Sequence, residues 1–81
     1  MLIPSPQALA TYLKDEREKR GLSQSELGEN VGLRQKTISD FENNPSNTRI
    51  ETLFKMLAAL NLQIHAKEAD TSEPSSWKEE W

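Results

Sequence analysis

Residues 23–42 read SQSELGENVGLRQKTISDFE, and Arg34, Gln35 and Lys36 stand in a row inside that stretch. Each carries groups that suit the edge of a nucleic-acid base. Arginine or lysine reaches O6 and N7 of guanine, and a glutamine amide matches N6 and N7 of adenine. Such groups read a base only if a rigid element carries them into a groove. The flanking residues supply one. Ser23 and Glu26 have the S-x-x-E spacing of a capping box, which opens a short helix. Leu27 and Val31, four apart, form the inner side of that helix, and Gly32 closes it. A third helix follows over residues 34 to 43, with Ile38 and Phe41 as its apolar contacts. Two helices joined by a tight glycine turn make a helix-turn-helix, whose second helix enters the major groove of DNA.

The rest of the chain must hold that pair in place. Ser5 followed by Pro6 starts a first helix, with Leu9, Tyr12 and Leu13 on one face and Gly21 as its left-handed cap. "NNPSNT" is a turn by composition. Thr48 caps a fourth helix in which Ile50, Leu53, Phe54, Leu57 and Leu60 form a continuous stripe. After Asn61 the period changes: Leu62, Ile64 and Ala66 alternate with polar residues, which predicts a strand over about residues 62–67. A single strand needs a partner for its backbone groups, and the chain offers no second one. It is therefore expected to pair with its copy in a homodimer, which would present two recognition helices to a palindromic operator.

Charge divides the chain in the same place. The formal net charge is −3, yet residues 1–67 balance at +1 and residues 68–81 at −4. The acidity belongs to the tail, so it does not argue against a DNA-facing surface on the rest. Residues 1–67 are expected to form one small helix-turn-helix and dimerisation domain. Residues 68–81, EADTSEPSSWKEEW, are poor in aliphatic residues and are expected to be a disordered acidic tail in the isolated protein.

Several function classes fall away. The chain of 81 residues has no cysteine and one histidine, which excludes disulfides and a thiolate or histidine metal cluster, and no cofactor is expected. His65 lies between Gln63 and Lys67 in sequence alternation and is expected to face solvent or an interface. No nucleophile is paired with a base, so an enzyme is not expected. There is no signal-peptide pattern and no apolar run near the roughly 18 residues that a membrane span needs. A soluble, cytoplasmic bacterial protein, at the nucleoid when bound to DNA, is the expectation.

Gln24-x-x-Leu27, Val31-Gly32-Leu33 and Ile38-Ser39-x-x-Glu42 together resemble the phage-repressor-like (XRE) helix-turn-helix family over roughly residues 8–62. The resemblance implies a mainly α, compact four-helix, lambda-repressor-like fold. It implies that Arg34, Gln35, Lys36 and Ser39 face bases and that Gln24, Thr37 and Arg49 lie near phosphates. It also implies an ion pair between Arg17 and Glu42. Two positions depart from the family pattern. Gly28 stands where alanine is usual, and Arg34 stands where a serine or threonine usually caps the helix.

"TISDFENNPSNT", a helical "LFKMLAALNL" running directly into one strand, and an acidic terminus ending "EEW" are similar to the HipB-type antitoxins within that family. This similarity implies a homodimeric autorepressor that also binds and neutralises a HipA-like Ser/Thr kinase toxin. It further implies that Trp81, with its α-carboxylate, anchors in a pocket of the toxin, while Trp77 joins it or packs back on the domain. Two other readings fit the same residues: a stand-alone or prophage regulator without a toxin, and an interaction module whose helix-turn-helix is only a scaffold.

Overall fold

Ser5 opens the first helix as expected: its side-chain oxygen accepts from the Ala8 N–H at 3.1 Å, and Pro6 takes the first helical position. The computed structural model of the chain describes residues 2–68. Helix α1 spans Pro6–Lys19, α2 Gln24–Glu29, α3 Gln35–Asn43 and α4 Ile50–Ala59, with a single 3-10 turn at Pro45–Asn47 between α3 and α4. The capping box of α2 is complete. Glu26 N–H donates to Ser23 Oγ at 3.0 Å, and Ser23 N–H donates to Glu26 Oε1 at 2.8 Å.

Three helices end in the same way. Leu22 N–H donates back to Arg17 O, Leu33 N–H to Gly28 O, and Leu62 N–H to Leu57 O, at 3.2, 2.8 and 2.8 Å. The residue before each leucine has positive φ: Gly21 (70°), Gly32 (75°) and Asn61 (59°). This six-to-one closure satisfies carbonyls left over at a helix end, and a leucine after the left-handed residue folds back onto the core. Leu22, Leu33 and Leu62 all pack against it. The core itself comprises Ala10 and Leu13 of α1, Leu27 of α2, Ile38 and Phe41 of α3, and Met56, Leu57 and Leu60, and α3 packs on both α1 and α2.

Two expectations need correction. Thr48 does not cap α4. Its N–H closes the 3-10 turn on Pro45 O, the chain stays extended through Arg49, and Arg49 is the N-cap without a side-chain bond. The α4 stripe is also rotated: Met56 is buried with Leu57 and Leu60, while Ile50 and Phe54 are 66% and 54% exposed. Among the described residues no strand is formed. The Leu62 N–H closes α4 and its side chain packs on the core, which leaves its carbonyl and residues 63–67 for pairing with a second copy. Ile64 is half exposed and Ala66 exposed, with no backbone partner among the described residues. Beyond Glu68, the expected tail with Trp77 and Trp81 lies outside the described residues. No described helix is long and apolar enough to cross a membrane.

Candidate nucleic-acid interface

Glu42, one residue from the end of α3, organises the polar side of the helix-turn-helix. Its Oε2 accepts from Arg17 Nε at 2.8 Å and its Oε1 accepts from Arg17 Nη2 at 3.1 Å. Arg17 Nη1 donates to Leu22 O at 2.7 Å, so the same guanidinium also ties α1 to the loop entering α2. Both side chains are almost wholly covered, at 10% and 5% exposure. The paired carboxylate raises the Arg17 pKa above its ordinary value; burial opposes this and does not prevail. The ion pair expected from the family resemblance is present, in the two-pronged form that a guanidinium and a carboxylate favour.

The network continues outward. Gln24 Nε2 donates to Glu42 Oε1 at 2.9 Å, and Gln35 Nε2 donates to Gln24 Oε1 in a short hydrogen bond. Gln24 is half-buried and Gln35 exposed. The chain Arg17–Glu42–Gln24–Gln35 therefore runs from the core to the start of α3. Sequence reading missed the two glutamine links. A usable signal was present: Gln35 and Glu42 are seven apart, two helical turns, and so share one face of α3.

The other candidate residues fall into two groups. Arg34 is the N-cap of α3 and makes no side-chain capping bond, in keeping with arginine being a poor cap. It is exposed, as is Lys36, whose Nζ lies 3.4 Å from Asp40 Oδ2. Ser39 is half-buried, and its Oγ accepts from Asn43 Nδ2 at 3.2 Å. Thr37 and Arg49 line one cleft of about 500 Å3 together with Asp40, Asn44, Asn47 and Thr52. The structure thus brings Arg34, Gln35 and Lys36 to the exposed start of α3, and joins Thr37 to Arg49 beside it. Gln24 is turned inward to Glu42. Among the described residues no group of three or more His, Asp or Glu gathers as a metal site.

A family model for the helix-turn-helix matches residues 13–66. The chain is 42% identical over 78 residues to Antitoxin HipB of Escherichia coli (strain K12), covering 96% of this chain and 89% of that protein. The chain belongs to the HipB antitoxin family of helix-turn-helix proteins. Its fold agrees with solved members. A HipB–O4 20mer complex superposes with a TM-score of 0.83 at 44% identity, covering 86% of this chain and 99% of that one. The HipB-type chain of a HipA–HipB–O2–O3 complex superposes with a TM-score of 0.84 at 43% identity, with the same coverage.

Proposed function

We propose that the protein is a sequence-specific operator-binding autorepressor that doubles as the antitoxin of a HipA-like Ser/Thr kinase. The observation that carries this reading is its likeness, along nearly all of its relative's chain, to the HipB component of a complex that also contains HipA. It acts by binding and not by catalysis. Arg34, Gln35, Lys36 and Ser39 read base edges, and Thr37 and Arg49 hold phosphates, joined by Gln24 through the Nε2 hydrogen that it does not give to Glu42. Ile64 and Ala66, with Leu62 at their root, pair with a second copy, so that two recognition helices meet a palindromic operator and the repressor resides at the nucleoid. Support for the dimer lies in Ile50, Phe54 and Ile64, large apolar side chains left open to water by a single chain.

The division at residue 67 gives the toxin-binding test. Trp77 and Trp81 supply nearly all the apolar surface of residues 68–81. Burying one tryptophan against a partner offers several kcal/mol at ~25 cal/mol per Å2, less the entropy of ordering the segment. Calorimetry should show that deleting residues 68–81 weakens capture of a HipA-like kinase and leaves operator affinity unchanged, with Trp81→Ala reproducing much of the loss. Equal kinase affinity for full-length and shortened chains would remove the anchor role. No kinase binding by the full-length chain would remove the antitoxin reading.

A further inference from the structure

We infer that Glu42 sets which way round the Gln35 amide meets the DNA groove, and thereby selects adenine over guanine at one base pair; the inference rests on the operator-binding reading above. Paired with the Arg17 guanidinium, the Glu42 carboxylate is an acceptor only. An amide packed on it must turn its NH2 inward, and Gln24 does so through Nε2. The Gln24 oxygen then faces outward, and a neighbour bonding to it must donate. Gln35 does so through its own Nε2.

That leaves Gln35 with one N–H and its Oε1 unspent, a donor beside an acceptor. Adenine presents the matching pair, N7 to accept and N6–H2 to donate, whereas guanine presents two acceptors, N7 and O6. With the opposite polarity, Gln35 would spend its oxygen on Gln24 and keep both N–H groups, which suits guanine. Opposing Gln24 Oε1 to the carboxylate would set two acceptors face to face in an almost fully covered site, so the reversed arrangement is disfavoured. Glu42 touches no base. It is a positioning residue acting through two amides.

The test uses full-length protein and duplexes selected by it from a randomised pool. The pair read by Gln35 is the one whose preference Gln35→Ala erases, and it should carry adenine. Glu42→Gln frees the relay to reverse. It should lower the adenine-to-guanine preference at that pair by roughly tenfold, within the range of one bidentate contact, while the pair sensitive to Arg34→Ala keeps its preference. Combining Glu42→Gln with Gln24→Glu places the acceptor-only group beside Gln35 again. The adenine preference should return, at lower overall affinity because of the added charge near phosphate. A role confined to holding α1 against α3 would shift all pairs evenly and would give no such rescue. If Glu42→Gln fails to fold, Gln24→Met leaves the Arg17–Glu42 pair intact and should lose the same preference. An unchanged preference in either folded single variant, or guanine at the Gln35 pair in the wild type, would overturn the inference. Failure to select any duplex would overturn the operator-binding reading, and the inference with it.

Discussion

Arg17 of α1 and Glu42 of α3 lie 25 positions apart and meet through two hydrogen bonds with almost no exposure to water. The pair spans the helices on either side of α2, and Gln24 of α2 bonds to the same carboxylate. A change at either end is therefore felt at the exposed start of α3 as well as in the core.

Removing one partner should be far worse than removing both. Arg17→Met leaves Glu42 buried without its counter-ion and should cost about 3–5 kcal/mol. Arg17→Met combined with Glu42→Leu should cost less than Arg17→Met alone, because no unpaired charge remains. Urea unfolding of the two variants measures the difference, and a double variant as unstable as the single one would contradict it.

Gly28 presents two opposing effects. Alanine is favoured over glycine in a helix by about 1 kcal/mol. A Cβ at Gly28, however, would stand 2.3 Å from the Leu33 carbonyl oxygen, a backbone atom held in the α2–α3 turn. The clash wins. Gly28→Ala should lower stability by about 1–3 kcal/mol, the usual range for overpacking. Alanine, usual in the wider family, is not interchangeable with glycine here. Thermal unfolding should show a lower midpoint, and an unchanged or raised one would show that the turn relaxes freely.

Arg34 and Arg49 should separate by the kind of contact each makes. Arg34→Ala should relax preference at one operator position by about 1–3 kcal/mol. Arg49→Ala, at the cleft proposed to hold phosphate, should weaken all sequences alike and reduce the salt slope by about one. Titration of an operator-mutant panel at several salt concentrations distinguishes them. Identical profiles would undo the division between base and phosphate contacts.

Ile64→Pro removes a backbone donor from the segment proposed to pair between subunits. Sedimentation at micromolar concentration should show the wild type as a dimer and this variant as a monomer or unfolded. A well-folded dimer of the variant would mean that residues 63–67 do not form the interface ladder.

Local chemistry was legible in the sequence because it depends on residues a few positions apart. The Ser5 and Ser23 caps, the positive-φ glycines at 21 and 32, and the helical faces of Leu13, Leu27 and Ile38 follow from 3.6-residue periodicity and side-chain hydrogen bonding. The Arg17–Glu42 pair, 25 positions apart, was implied only by the family resemblance and not by local spacing. Tertiary structure alone decided which side of α4 is inside. Ile50, Phe54 and Met56 are all apolar, and only the position of the helix against α2 buries Met56 and leaves Ile50 and Phe54 in water. It also decided where α4 begins, because the chain stays extended through Arg49, and that the Leu62 N–H closes α4. The inward turn of Gln24 belongs to the same class. An amide can turn its NH2 or its oxygen inward, and the choice came from a partner 18 positions away that folding brought within 2.9 Å.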